Sequence, residues 1–374
     1  MNPFTPATIA PLAQQFGTPL WIYDADTITR QIAALRLFDV VRFAQKANSN
    51  THILRLMKRQ GAVVDSVSLG EIERALAGGF TPGLHNGHAD IVFTADLLDR
   101  ATLARVVELN IPVNCGSMDM LDQLGAVNPG HPVWLRINPG FGHGHSKKTN
   151  TGGEHSKHGI WHGDLVRACE KIKSNGLALQ GLHMHIGSGV DYAHLQEVCG
   201  AMLKLVEVVN AQGLDLHAIS AGGGLSVPYQ AGEPTIDTAH YFSLWDAVRH
   251  AVEQLLEHPV KLEIEPGRYL MAESGVLVTE VRATKQQGAN HFVMVDAGFS
   301  DLARPALYGA YHGMELIHSD GTAVNGLQID TVVAGPLCES GDVFTQGDGG
   351  VVLHRSLPQA QVGDLLVLHD TGAY

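Results

Sequence analysis

Residues 38–79, FDVVRFAQKANSNTHILRLMKRQGAVVDSVSLGEIERALAGG, read as strand, helix, strand, helix. The apolar run at 38–45 is strand-like, and THILRLMKRQG places its apolar residues at helical spacing. VVDSVS (63–68) and LGEIERALAGG (69–79) repeat the pattern. Asn50 and Ser68 precede the two helical stretches and Gly61 and Gly78 close them, as caps should. The same alternation runs on through strand-type segments at 90–94, 111–115, 132–138, 178–187, 216–223 and 260–266. Helix-type segments such as 97–110 and 193–209 lie between them. Eight short strands joined by helical crossovers predict an α/β fold, a (β/α)8 TIM-like barrel, with an open doubly wound sheet as the alternative. Period-2 patterning is weak, as expected for strands buried on both faces.

After residue 270 the pattern changes. GVLVTEVRATKQ (275–286), HFVMVDAG (291–298), DTVVAGPL (330–337), DVFTQ (342–346), GVVLHR (350–355) and DLLVLH (364–369) are strand-type runs separated by turn residues. They predict a second, all-β domain of sandwich or barrel type. TPLWIYD (18–24) is also strand-like and is expected to join it. The expected organisation is an N-terminal segment over 1–30 belonging to the β-domain, a barrel over 31–270, and a β-domain over 271–374.

Composition narrows the function. With 45% hydrophobic residues the 374-residue chain can bury cores, which excludes disorder. A net charge of −13 repels phosphate backbones and anionic lipid, so neither nucleic acid nor membrane is an expected partner. No apolar run reaches the roughly 18–20 residues of a membrane span. The opening MNPFTPATIAPLAQQFG lacks the basic and apolar regions of a secretory signal. Four cysteines without a CxxC pair point to neither a disulfide framework nor structural zinc, and cytoplasmic location is expected.

In such a barrel the reactive groups sit at the C-terminal strand ends. Those ends carry Lys46, then His185 and Ser188, then Gly222–Gly224, then Glu265, Gly267 and Arg268. A lysine at an inward strand end should be partly desolvated, which frees its amine as a nucleophile; otherwise it is a surface cap. The glycine run lets backbone N–H groups close on a phosphate, although tight turns use glycine too. Arg268 could supply charge to a phosphate or a substrate anion. Glu265, flanked by apolar residues, should be buried and must have a partner. A pyridinium N–H would satisfy it, and so would a structural ion pair with Arg268. His185 could lie flat against a cofactor ring or be an ordinary core histidine.

The motifs FAQKANSN (43–50), DSVSLGEIERAL (65–76), HMHIGSG (183–189), GGGL (222–225), EIEPGR (263–268), PALYGAYH (305–312), GPLCESGD (335–342) and HDTGAY (369–374) occur in one order over more than 300 residues. On them the chain resembles the alanine-racemase-like barrel decarboxylases that use pyridoxal 5'-phosphate, and within these the diaminopimelate decarboxylases of enterobacterial type. The resemblance implies conversion of meso-2,6-diaminopimelate to L-lysine and CO2, the last step of bacterial lysine synthesis. It implies that Lys46 binds the cofactor covalently, that His185 stacks on its ring and that Glu265 holds the ring nitrogen. Ser188, Gly223, Gly224, Gly267 and Arg268 would surround the phosphate side, with Arg268 also near the substrate. Arg304 and Tyr308 would take the substrate's distal carboxylate. Cys338 and Glu339 would enter from the neighbouring subunit of a homodimer, and Tyr374 would complete the cofactor and substrate site. Family chains continue past GlyAlaTyr, so the resemblance implies a β-domain cut short at Tyr374.

Cys338 also fits on chemical grounds, since decarboxylation leaves an electron pair at Cα that needs a proton. A thiol with an ordinary pKa of about 8.5 can give one. Two other readings stay open. One keeps the cofactor but takes D-ornithine, D-lysine or a carboxylated polyamine. Arg304 and Glu339 speak for a substrate with a distal amino-acid group. The other is a non-catalytic or metal-binding barrel, suggested by 21 histidines and the stretch PGFGHGHSKKTNTGGEHSKHGIWH (139–162). No metalloenzyme spacing occurs there, and no metal is expected.

Overall fold

The computed structural model describes residues 2–85, 87–142, 151–185, 187 and 192–374, and they divide into two compact units. One comprises residues 28–226 and 235–270; the other comprises 1–27, 227–234 and 271–374. Residues 227–234, which lie within the range read as barrel from sequence, thus group with the sheet-rich unit.

The first unit is a closed parallel barrel. Its eight strands are Val40–Ala44, Val63–Ser66, Ile91–Ala95, Val113–Cys115, Pro132–Asn138, Ala178–His183, Ala218–Ser220 and Lys261–Ile264. Each pairs with the next in chain order, and the eighth returns to the first with Glu263 opposite Val40 and Ile264 opposite Val41. All eight anticipated strands are present, and closure excludes the open sheet. The helices between them begin at the expected caps. The Asn50 side chain accepts from the His52 N–H, Ser68 from Glu71 and Asp99 from Thr102. Each such cap contributes about 1 kcal/mol. Inside the barrel, Arg42 is 1% exposed and pairs with Glu263 at 2.9 Å, while also donating to the Val64 and Ala89 carbonyls. This pairing satisfies the buried charges and ties the first strand to the eighth.

The second unit is a seven-stranded sheet. Its central strand, Gly275–Gln287, pairs antiparallel with Leu20–Tyr23, Asn290–Val295 and Leu365–Leu368. The segment read as TPLWIYD therefore does join this sheet. Met314–Ile317, Gln328–Ala334 and Arg355–Pro358 complete it. The all-β expectation needs three corrections. Helices Pro6–Phe16 and Arg304–Tyr308 belong to this unit. DVFTQ forms only two isolated bridges, Val343 to Ala334 and Gln346 to Val352, and the Asp342 carboxylate holds a turn at its start. In GVVLHR, regular pairing begins only at Arg355.

Candidate active site

At the C-terminal mouth of the barrel, the eighth strand ends in Glu265. Its side chain is 10% exposed. Its Oε2 lies 2.7 Å from Nε2 of His183, whose side chain is 2% exposed, and its Oε1 accepts from the Ser220 hydroxyl at 3.1 Å. Three consecutive strands, the sixth, seventh and eighth, thus place one polar side chain each at the same level. Burial opposes the Glu265 charge, but His183 and then Arg42 outweigh it and bring the carboxyl to about 2. Asp65, on the second strand, behaves oppositely. Burial first and the Glu265 charge second raise its carboxyl to about 8, so at neutral pH the proton resides on Asp65. Glu265 carries the charge.

The glycine turn after the seventh strand packs against this group. A Cβ on Gly222 would sit 2.2 Å from the Met184 carbonyl oxygen, one on Gly223 2.4 Å from that of Glu265, and one on Gly224 2.3 Å from that of Gly187. Gly222 and Gly224 also have φ of +64° and +100°. No side chain fits any of the three positions, so the wall they form is bare backbone. The Gly223 N–H donates to His185 Nδ1 at 3.1 Å, which fixes the imidazole plane. Burial, then the nearby Arg136 and Lys46, hold His185 well below its ordinary value, so the ring is neutral and flat. Thr151 Oγ1 donates to the His185 carbonyl oxygen at 2.9 Å.

Lys46 occupies the single 3-10 turn Gln45–Ala47 directly after the first strand. The expectation of a desolvated lysine is corrected here, because Lys46 is exposed. The turn carries its side chain out of the packed layer, while Gln45 and Ala47 on either side are buried. Its charge still acts on Asp65, Glu71 and His185. Gly267 is buried, and Arg268 begins the helical turn Arg268–Met271. Ser188 lies outside the described residues, as do His143 and His145.

The sheet-rich unit carries the other anticipated residues. Arg304 is 8% exposed; its guanidinium donates to His312 Nε2 at 2.8 Å and stacks 4.6 Å over the Tyr229 ring. His312 in turn donates from Nδ1 to the His369 carbonyl, which leaves Nε2 as the acceptor. Tyr308 closes the helix begun by Arg304 and is exposed. Asp342 accepts from the N–H groups of Phe299 and Leu337, shaping a turn that leaves Cys338 and Glu339 exposed. The other three cysteines are buried thiols, and burial pushes Cys169 to about 11 and Cys199 to about 12. Tyr374 is 44% exposed.

Sequence reading passed over His183, Ser220, Asp65 and the Tyr229–His312 support of Arg304. His183 had a usable signal: it stands two residues before His185 in a strand, where alternation points it into the barrel. The sequence left the partner of Glu265 between a pyridinium N–H and an ion pair with Arg268; the protein itself adds His183 and Ser220, which neither reading had named.

These residues fit pyridoxal phosphate. An ionised buried carboxylate suits a protonated pyridine nitrogen, a neutral fixed imidazole suits its ring face, and the Cβ-free turn suits its phosphate. Comparison with known proteins agrees. The family model for the pyridoxal-dependent decarboxylase pyridoxal binding domain matches residues 25–272. Diaminopimelate decarboxylase of Escherichia coli strain K12 is 65% identical over 364 residues, covering 97% of this chain and 86% of the relative. A crystal structure of a diaminopimelate decarboxylase superposes with a TM-score of 0.94 at 64% identity, covering 99% of this chain and 87% of that one. The Helicobacter pylori diaminopimelate decarboxylase complexed with L-lysine matches with a TM-score of 0.85 at 30% identity, covering 97% and 88%.

Proposed function

Since this chain belongs to the diaminopimelate decarboxylases, within the pyridoxal-dependent decarboxylases, we propose that it converts meso-2,6-diaminopimelate to L-lysine and CO2. The observation that carries this reading is the ionised Glu265 held between His183 and Ser220 beside the glycine turn. Bound pyridoxal phosphate supplies an electron sink for the pair left at Cα when CO2 departs.

The chain's own residues then have distinct tasks. Lys46 would supply the amine that holds the cofactor. Glu265 keeps the ring nitrogen protonated, because a carboxylate at about 2 stays charged at neutral pH. His185 positions the ring face. Gly223 and Gly224, with Ser188, Gly267 and Arg268, receive the phosphate. Arg304, already desolvated and aimed by His312 and Tyr229, binds the distal carboxylate together with Tyr308. A pre-aimed guanidinium loses little entropy on binding and selects a substrate with a second amino-acid end. Glu339 pairs with the distal ammonium, and Cys338 delivers the proton to Cα. Tyr374 borders cofactor and substrate.

Exposure of Cys338 and Glu339 on a shaped turn supports a homodimer in which each chain lends these residues to its partner's site. A cytoplasmic location is supported by four free cysteines and by the absence, among the described residues, of a helix long and apolar enough to cross a membrane. CO2 release from meso-diaminopimelate should exceed that from D-lysine, D-ornithine and L-lysine by orders of magnitude. Equal rates would remove Arg304 and Glu339 from substrate selection.

A further inference from the structure

Opposite the mouth, at the N-terminal ends of the seventh and eighth strands, three potential ligands converge. Asp215 and His217 lie in the link between helix Tyr192–Ala211 and the seventh strand. His258 lies in the link between helix Thr238–Leu256 and the eighth. Pairing of Lys261 with Ala218 brings the two links together. Each side chain offers one ligand atom, and the three atoms lie within 4.8 Å of one another. Among the described residues this is the one group of its kind. The backbone of His217 is pinned on both sides, its N–H to the Gln180 carbonyl and its carbonyl to the Lys261 N–H.

The hydrogen bonds of His258 make the arrangement specific. Its Nδ1 is 2.9 Å from the Pro259 carbonyl oxygen, which can only accept. A neutral imidazole must then carry its proton on Nδ1 and turn the Nε2 lone pair outward. Nε2 faces Asp215 Oδ1 at 2.8 Å. A lone pair and a carboxylate oxygen cannot face each other at that distance, so without metal a proton on Nε2 bridges them as an ion pair, and a metal ion would displace that proton. The His217 ring stands beside them, 5.5 Å from that of His258 between centroids. An imidazole whose second nitrogen donates to a carbonyl is the usual form of a metal-bound histidine.

We propose that Asp215, His217 and His258 form a binding site for a borderline divalent metal ion of the Zn2+ or Ni2+ type, with water in the remaining positions. Two imidazoles and one carboxylate suit these ions, whereas Mg2+ and Ca2+ prefer all-oxygen shells. Tetrahedral bonds of about 2.0–2.1 Å set ligand atoms about 3.3 Å apart. The His258–Asp215 pair must therefore open by roughly half an ångström and the third ligand close in by more. Asp215 and His217 are exposed, so side-chain rotation can make that adjustment at the cost of the Leu216 N–H bond to Asp215 Oδ1. The ion would clamp two helix-to-strand links and stabilise the barrel without touching its mouth. Because His258 lies 43 positions beyond Asp215, no local motif announces the three together. The inference rests on barrel residues alone and is independent of the proposed reaction.

Isothermal titration of the tag-free, cofactor-loaded full chain with NiCl2, and separately with ZnCl2, tests it. One ion per chain should bind, with a rise in the thermal midpoint. His217→Ala, His258→Ala and Asp215→Asn should each weaken binding at least tenfold and abolish that rise, leaving the decarboxylase rate unchanged. MgCl2 should give no saturable signal. Absence of saturable binding, or equal affinity and stoichiometry in the three variants, would overturn the assignment. The latter result would move the ion to other groups such as Cys338. A nickel-soaked crystal decides independently, since the anomalous peak must fall between the three side chains.

Discussion

Replacing His183 by leucine removes the imidazole that holds Glu265 charged while keeping comparable apolar bulk. A carboxyl carried from its usual 4.5 to about 2 is stabilised on the order of 3 kcal/mol at ~1.36 kcal/mol per pH unit. Leaving a buried carboxylate without its hydrogen-bond donor costs about 1–3 kcal/mol by a separate route, so the two figures agree in order of magnitude. Part of this returns through Asp65, whose own rise depends on the Glu265 charge, so about 2–3 kcal/mol is expected. A carboxylate with a depressed folded value adds stability that is complete above its unfolded value near 4.5. That stability is lost as pH falls towards about 2. Urea unfolding of cofactor-free wild type and His183→Leu should therefore show the full gap at pH 7 and a narrowing gap below about pH 5. The loaded variant should also turn over more slowly, since the ring nitrogen has lost a dependable anion. A gap under about 1 kcal/mol at pH 7, or one that ignores pH, would refute the reasoning.

Asp65→Asn should have the opposite signature. The folded carboxyl near 8 binds a proton that the unfolded chain releases near 3.8, so wild-type stability falls as pH rises between those values. The cofactor-free variant should become the more stable of the two towards pH 8, read from urea midpoints. In Gly223→Ala the new Cβ would meet the Glu265 carbonyl oxygen at 2.4 Å, and opening that contact should weaken cofactor binding at least tenfold. Equilibrium dialysis of pyridoxal phosphate checks this, and unchanged affinity would separate the turn from the phosphate. Mixing inactive Lys46→Ala and Cys338→Ala chains should restore about one quarter of full activity, since half of the random dimers carry one intact composite site. No recovery after verified subunit exchange would confine Cys338 to its own chain.

Much of the scaffold was legible because its signals are local. Asn50 and Ser68 announce helices that they do cap, and the apolar runs along the chain become the eight strands. Leu20–Tyr23 was legible for the same reason, although its partner strand lies some 250 residues away. What stayed hidden depends on closure. His183 and Glu265 are 82 residues apart and meet only because the seventh strand aligns the sixth with the eighth. Arg304 was legible as an arginine in a motif, but its aim comes from Tyr229, in a short segment without periodicity. Lys46 was located correctly at a strand end. Its exposure was misjudged because alternation does not foresee the 3-10 turn that follows.

The central claim is that a cofactor held by Lys46 at this barrel mouth removes one carboxylate from meso-diaminopimelate. Product analysis of the cofactor-loaded protein tests it most directly, counting L-lysine and CO2 from the same sample alongside Lys46→Ala. The account predicts one CO2 for each L-lysine, dependence on pyridoxal phosphate, and a loss of several orders of magnitude in the variant together with its visible cofactor absorption. Comparable lysine formation by Lys46→Ala, or CO2 release without the cofactor, would contradict it.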